Sequence, residues 1–166
     1  MTAHNGGIQM YSFDTSVFMD WQARYYPLDL FRSLEGRIEA LIDAGECAAV
    51  ALVHEEITAV GTPDLQSWAK AHPALFQPMV PELQAAGAAI EAAYPDLMDP
   101  KGLHESADAY VIGLARVRNG IVVSQETSAA EKRNHKRTHY IPDVCRDLGI
   151  PCINLLGLMR REKWTL

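Results

Sequence analysis

Four acidic residues stand where a predicted strand ends or a predicted helix begins, so their carboxylates could act together. Asp14 ends the apolar run that starts at Ile8, and the other three are Glu56, Asp108 and Glu126. Short apolar runs are typical of strands buried on both faces of a parallel sheet, and open α/β sheets place catalytic groups at the carboxyl ends of such strands. We therefore expect these carboxylates to meet at one edge of a sheet.

The charge of such a cluster indicates its chemistry. Carboxylates that lie close together repel one another unless protons or cations intervene. Hard divalent cations with oxygen ligands, Mg²⁺ or Mn²⁺, are the usual partners, and ions held in this way commonly act on phosphates. Such an ion activates a water molecule and stabilises charge on the attacked phosphate. The acids therefore predict metal-dependent hydrolysis without a nucleophilic Ser or Cys.

Each acid also has an ordinary structural explanation. Asp14 could cap the helix that follows it, because Asp is a good N-cap residue. Asp108 and Asp143 fall in the first turns of predicted helices, where any carboxylate interacts favourably with the helix dipole. Glu126 could be a solvent-facing loop residue. For each of these residues taken singly, the structural and the functional role both stay open.

The helix predicted after the second strand carries two neighbouring glutamates, Glu55 and Glu56. Neighbouring side chains on a helix point about 100° apart, so at most one of the two can face a given site. Their position alone does not choose between them. A solvated pair that favours the helix N-terminus is the structural alternative.

Predicted strands alternate with stretches of helical periodicity along the chain. The strands lie near residues 8–13, 47–51, 121–124 and 151–154. This alternation predicts a parallel sheet with helices on both faces, hence a three-layer α/β/α domain. At 166 residues the chain is long enough for one buried core and too short for two ordinary domains. We therefore expect a single domain over residues 1–166, with residues 1–7 as a loose N-terminal leader.

The charge is unevenly distributed. The chain has a net charge of −6, which argues against bulk attraction to nucleic acid. Residues 131–139 nevertheless form a basic loop with four cations: Lys132, Arg133, Lys136 and Arg137. An acidic body could hold metal ions while this loop contacts phosphates. A solvated loop or a protein-docking surface is the alternative, because charge runs often serve as interaction segments.

The cysteine content and the hydropathy indicate a cytoplasmic protein. Three cysteines are odd in number and contain no CxxC pair, which favours a reducing compartment and argues against a cysteine zinc site. No stretch approaches 18 uninterrupted apolar residues, so no transmembrane helix is expected and we predict no membrane partner.

Taken in order, these motifs resemble the PIN-domain superfamily of metal-dependent ribonucleases. The resemblance spans residues 8–126, most of the chain, and four weak motifs in order are together fairly specific. The motifs are Tyr-Ser-Phe-Asp14-Thr-Ser16, Val-His-Glu-Glu56-Ile, Ala-Asp108-Ala-Tyr-Val-Ile-Gly-Leu-Ala and Ile-Val-Val-Ser124-Gln-Glu126. Residues 141–152 resemble a PIN-like branch related to VapC-type toxins of bacterial toxin–antitoxin pairs.

The resemblance implies a PIN-like fold with a central parallel sheet of about four to five strands. It also implies an acidic pocket for one or two Mg²⁺ or Mn²⁺ ions and endonucleolytic cleavage of RNA. Asp14 matches the first-strand acid, Glu56 the helix acid and Asp108 the third acid. Ser16 matches the small polar residue that supports the first acid.

The last motif departs from the family pattern. The family commonly has Thr-x-Asp there, whereas this chain has Ser124-Gln125-Glu126. A glutamate is one methylene longer than an aspartate, so the number of metal ions stays open. Asp143 is a reserve candidate for this corner of the pocket.

The resemblance implies an in-line hydrolysis in which Asp14, Asp108 and Glu126 hold the ion. Glu56 would bind it as well, or would orient and deprotonate the water. The basic loop would contact phosphates that flank the cut. The implied partners are an RNA substrate and a cognate antitoxin, and apolar helix faces leave room for a homodimer.

The sequence argues against one rival function and leaves another open. A phosphatase with a nucleophilic aspartate needs a second acid two residues after the first, and Ser16 occupies that position. A PIN-like module that binds RNA or protein without cutting is the alternative that the glutamate at the fourth position favours.

Overall fold

The computed structural model describes residues 9–98, 106–134 and 136–166, so Ile8 and the predicted leader lie outside the described residues. Five short strands form one sheet: β1 (Tyr11–Phe13), β2 (Cys47–Val50), β3 (Phe76–Gln77), β4 (Ile121–Val123) and β5 (Cys152–Ile153). Their order is β3-β2-β1-β4-β5, and every neighbouring pair is parallel. The run before Asp14 is therefore the central strand.

Helices connect consecutive strands and cover the sheet on both faces, as parallel connections require. In the described parts of the chain the α-helices are α1 (Thr15–Met19), α2 (Arg32–Asp43), α3 (Ala51–Val60), α4 (Pro63–Ala71), α5 (Pro81–Ala93), α6 (Asp108–Arg118), α7 (Ile141–Leu148) and α8 (Leu155–Arg161). A π-helical segment, Asp20–Tyr25, continues α1, and 3₁₀ turns occupy Pro73–Leu75, Pro95–Leu97 and Ala129–Glu131. This arrangement confirms the predicted three-layer α/β/α fold.

The register of the two central strands sets up the site. Phe13 of β1 lies opposite Val123 of β4, and the N–H of Asp14 donates to the carbonyl oxygen of Val123 at 2.9 Å. Asp14 and Ser124 are the next residues of their strands, so both leave the sheet at its carboxyl edge. The polar side chains that follow the two strands are therefore neighbours.

Helix α6 is the most buried helix among the described residues, and it supplies Asp108. Its seven residues from Ala109 to Ala115 are all buried, which matches the nearly apolar sequence. It packs closely on α5, where a Cβ at Gly87 would lie 2.2 Å from the ring of Tyr110. Only a glycine allows this approach, so α5 holds α6 and its first residue in place.

Strand β3 is the element that periodicity did not predict. It has two residues, lies at the edge of the sheet and stands between Pro73 and Pro78. Prolines beside so short a strand leave no alternating pattern to detect, although an edge strand tolerates them.

In the described parts of the chain, no helix combines the length and the apolar character needed to cross a membrane.

Candidate functional site

Asp14 lies at the centre of a polar cluster on the carboxyl edge of the sheet. Its side chain is 5 % exposed, and Oδ2 accepts hydrogen bonds from the hydroxyls of Ser16 (2.6 Å) and Ser124 (3.1 Å). Asp14 occupies the N-cap position of α1, but its side chain forms no capping hydrogen bond there. The capping role that the sequence left open is therefore not what holds this carboxylate.

Burial raises the pKa of Asp14. The hydroxyls of Ser16 and Ser124, and the nearby N–H groups at the start of α1, stabilise the carboxylate and oppose that rise without cancelling it. The site therefore supplies hydrogen bonds to a buried carboxylate but too little positive charge to balance it. A proton or a cation would complete it.

The two serines also connect Asp14 to the turn after β4. Ser16 accepts a hydrogen bond from the N–H of Gln125 (3.0 Å), and Ser124 accepts one from the N–H of Glu126 (3.1 Å). Each hydroxyl therefore donates to Asp14 and accepts from the turn that carries Glu126. This pair of bridges fixes the backbone of Glu126 relative to Asp14.

Glu126 lies beside Asp14 and one arginine. Its Oε1 is 3.4 Å from Nη2 of Arg137, and its side chain is 20 % exposed. Burial, followed by repulsion from Asp14, raises the pKa of Glu126 to about 7, although the positive charge of Arg137 opposes the shift. Near neutral pH this carboxyl group therefore exchanges a proton readily.

Glu56 and Asp108 bring the helices α3 and α6 to the same edge. Oε1 of Glu56 accepts from the N–H of Ala107 (2.8 Å), and Oε2 accepts from the hydroxyl of Thr15. Glu55 is exposed, so the structure makes the choice between the two glutamates that the sequence could not make. Glu56 thereby joins the start of α1 to the start of α6.

Asp108 has the strongest electrostatic conflict in the cluster. Burial and then repulsion from Asp14, Glu126 and Glu56 hold its pKa well above the usual range, and Arg137 opposes this only partly. Asp108 is thus close enough to each of the other three predicted acids to repel it. Full ionisation of the cluster without a cation is unfavourable.

The donor chemistry of this cluster suits a hard divalent cation, because it consists of carboxylate and hydroxyl oxygens. Among the residues that the structure describes, however, no three or more His, Cys, Asp or Glu side chains stand in an arrangement that could hold a metal ion together. Both oxygens of Glu56 receive protein hydrogen bonds. Asp14, Asp108 and Glu126 are therefore the acids that side-chain adjustment could bring onto an ion.

Asp143 makes a different set of contacts. It is 2 % exposed, and Oδ2 accepts from the N–H groups of Tyr140 and Ala129, both at 2.9 Å. Its carboxylate lies 3.7 Å from Arg146. These contacts match the capping and dipole role, and none of its described contacts is with the four acids.

The basic loop divides into an inner and an outer pair of cations. Lys132 and Arg137 lie over the ring of Tyr140, at 4.3 and 4.4 Å from its centroid. Arg137 also donates to the carbonyl oxygen of Leu97 as well as pairing with Glu126. The outer pair, Arg133 and Lys136, is exposed to solvent.

Thr15 and Tyr140 contact the predicted site residues, and the sequence reasoning did not assign them. The hydroxyl pair after Asp14 is a signal that could have indicated Thr15, since both hydroxyls of the Asp-Thr-Ser run contact acids. No sequence signal indicated Tyr140, because its contacts with the two loop cations depend on the tertiary fold.

No curated protein matches the chain. A family model does match, over residues 11–166, which includes every residue of the acidic cluster. The chain belongs to this family, DUF4411, described as a domain of unknown function.

Proposed function

We propose that the chain is a metal-dependent endoribonuclease and the toxin of a type II toxin–antitoxin pair. The observation that carries the proposal is the buried Asp14, held by Ser16 and Ser124 at the carboxyl end of the central strand, with Asp108 and Glu126 close enough to repel it. A cluster this costly to ionise is a favourable place for a divalent cation. The PIN-like motifs support RNA as the substrate.

Asp14, Asp108 and Glu126 would hold Mg²⁺ or Mn²⁺, and Glu56 would adjoin it. Such an ion supplies Lewis-acid activation of the phosphodiester and of a water molecule. Side chains of the protein position the groups that would hold the ion. Ser16 and Ser124 orient Asp14, and Glu56 fixes the start of α6 by accepting from the N–H of Ala107.

Glu126 links binding of the ion to release of a proton. Its pKa of about 7 belongs to the metal-free chain, and the carboxyl group would lose its proton when it binds the cation. The nearby guanidinium of Arg137 can contact a phosphate oxygen while it stays anchored to Leu97. Arg133 and Lys136, both exposed, would engage phosphates farther along the strand.

The remaining partners follow from the same proposal. A cognate antitoxin would inhibit the enzyme, and an arginine that enters the acidic pocket is the simplest inhibitory contact, because it would neutralise the repelling carboxylates. Mutation of the pocket acids should then weaken antitoxin binding, and unchanged affinity would contradict this contact. We place the protein in the cytoplasm, and the proposed function is compatible with a homodimer.

A second candidate function is a PIN-like module that binds RNA or protein without cutting. Two observations favour it. Glu126 replaces the shorter acid of the family pattern, and both oxygens of Glu56 already receive hydrogen bonds from the chain.

One experiment separates the two functions. Labelled RNAs of varied sequence are incubated with the purified chain, with Mn²⁺ or with EDTA, and Mn²⁺ binding is measured by calorimetry. We expect Mn²⁺-dependent cleavage that Asp14→Asn abolishes, while the matched control Asp64→Asn, at an exposed position in the first turn of α4, cleaves normally. Equal cleavage by Asp14→Asn would refute the enzyme, and an absence of both cleavage and Mn²⁺ binding would favour the binding module.

A further inference from the structure

We propose that a pocket beside Glu126, which we term the base pocket, binds a nucleobase of the RNA strand at the nucleotide next to the cleaved phosphate. This inference rests on the proposed function and names the feature of the substrate that the site reads. The base pocket has a volume of about 230 Å³. The residues on which the argument depends are Gln125, Glu131, Pro142, Ile153 and Asn154.

The base pocket adjoins the acidic cluster directly. Ser124 and Glu126 belong to both, since they line the pocket and also contact or repel Asp14. The pocket lies where β4 and β5 end, on the same carboxyl edge as Asp14. A strand whose phosphate meets the acids would therefore place a neighbouring base at this pocket.

Two carboxamides of the pocket are fixed in orientation by the chain. Oε1 of Gln125 accepts from the N–H of Leu155 (2.7 Å), and Oδ1 of Asn154 accepts from the N–H of Gly157 (2.8 Å). Because each oxygen is held by a backbone donor, each NH₂ group is the part left for a ligand. Neither NH₂ group donates to any residue that the structure describes.

The other lining groups complete a site for a planar heterocycle. Pro142 and Ile153 offer apolar surface to the face of a ring. Glu131 uses Oε2 to accept from the N–H and the hydroxyl of Ser128, which leaves Oε1 as an acceptor for a ring or exocyclic N–H. Donors, an acceptor and apolar surface in one small cavity match the edge and the face of an unstacked base.

The two amide donors also predict which bases fit. Amide N–H groups pair best with carbonyl oxygens, and uracil, cytosine and guanine carry a carbonyl oxygen whereas adenine carries none. We therefore expect the base pocket to prefer the three carbonyl-bearing bases over adenine.

The test follows the two NH₂ groups by NMR in the ¹⁵N-labelled full chain. Their signals are assigned from their loss in Gln125→Glu and Asn154→Asp, which keep the oxygen that caps α8 but remove the donor. The probes are the oligoribonucleotides UUUUU, CCCCC, AAGAA and AAAAA, added in EDTA so that no cleavage occurs. Gln84→Glu, at an exposed position on α5, is the control for the added charge.

We expect at least one carbonyl-bearing probe to shift both NH₂ signals at a concentration about fivefold below that needed for AAAAA. Each donor-removing variant should weaken that probe about fivefold, the loss of one hydrogen bond of ordinary net strength, and Gln84→Glu should not. Unshifted NH₂ signals while a probe binds elsewhere, equal binding of AAAAA, or equal weakening by Gln84→Glu would each overturn the base pocket.

The outcome is separable from the proposed function. Base-selective shifts in a chain that never cleaves RNA with Mn²⁺ would leave the base pocket standing and refute the nuclease. Cleavage of RNA without any shift of the NH₂ signals would confirm the nuclease and refute the base pocket.

Discussion

Asp14 and Asp96 are two aspartates that accept hydrogen bonds from nearby hydroxyls, yet their surroundings shift their pKa values in opposite directions. Asp96, in the 3₁₀ turn after α5, accepts from the N–H groups of Thr138 and His139, both at 3.0 Å, and from the side chains of the same two residues. Burial is the largest single influence and raises its pKa, but the hydrogen bonds from Thr138 and His139, with the charge of His139, together outweigh burial and lower the pKa well below the usual range. At Asp14, burial outweighs two serine hydroxyls.

The two aspartates contrast a carboxylate that the chain fully stabilises with one that it stabilises only in part. Asp96 is stabilised as an anion by the chain itself, and it ties the segment after Arg137 to the end of α5. Asp14 lies among other acids and is stabilised only in part. Perturbation by burial together with specific charged neighbours is the pattern that marks functional sites.

The largest expected difference between the two regions is in catalysis. Glu126→Gln should lower RNA cleavage by about a hundredfold or more, because an amide does not balance the charge of the bound cation. Asp96→Asn should change cleavage no more than a few-fold. Single-turnover cleavage of a labelled RNA in Mn²⁺ measures both, and a Glu126→Gln variant with half of the original rate would remove Glu126 from the mechanism.

The acidic cluster around Asp14 and the surroundings of Asp96 should also affect the pH dependence of stability differently. Between the ordinary pKa of Glu126, 4.5, and its folded value of about 7, the folded chain binds a proton that the unfolded chain has lost. Stability of the metal-free chain should therefore fall as pH rises through this window, by up to about 3 kcal/mol from Glu126 alone. Urea unfolding in EDTA at pH 5 and pH 7.5 measures the fall, and Glu126→Gln should reduce it.

Asp96 should act in the opposite sense. Its pKa is lowered in the folded chain, so its contribution is present above pH 4 and is lost as the pH falls further. Asp96→Asn should therefore reduce the loss of stability below pH 4 and leave the fall between pH 5 and pH 7.5 unchanged. If this variant also lost the fall between pH 5 and pH 7.5, that fall could not be assigned to the acidic cluster.

The same comparison explains what the sequence could predict. The sequence could predict that Asp14 and Glu126 lie at the carboxyl ends of neighbouring strands. Strands β1 and β4 are apolar and buried, and their register follows from a parallel sheet. The contacts of Asp96 with Thr138 and His139 were not readable. These residues are about forty positions apart, and Thr138 and His139 lie in a loop that has no periodic pattern.

The roles of the individual acids were predictable only in part. The sequence could not choose Glu56 over Glu55, because the choice depends on which helix face meets the N–H of Ala107. The cations of the loop were visible as a charge run. Their division into an inner pair on Tyr140 and an outer exposed pair depends on tertiary packing that a charge count does not contain.

Amide substitutions should change stability with opposite signs in the two regions. At pH 7.5 in EDTA, Asp14→Asn should leave the melting temperature unchanged or higher, because it removes repulsion with Asp108 and Glu126. Asp96→Asn should lower the free energy of unfolding by about 1 kcal/mol, because an amide oxygen is the weaker acceptor. A destabilised Asp14→Asn would show that its serine hydrogen bonds matter more than the repulsion.

The smallest effect concerns Arg137, which pairs with Glu126 at 3.4 Å. Its positive charge opposes the rise in the pKa of Glu126, so Arg137→Gln should move the ascending limb of the pH–rate profile to higher pH. We expect a shift below about one pH unit, because a partly exposed ion pair is screened by solvent. Arg133→Gln, at an exposed position of the same loop, removes an equal charge and should weaken RNA binding without moving the limb. Equal shifts in the two variants would mean that the net charge of the loop, and not the contact of Arg137 with Glu126, sets the proton affinity of the site.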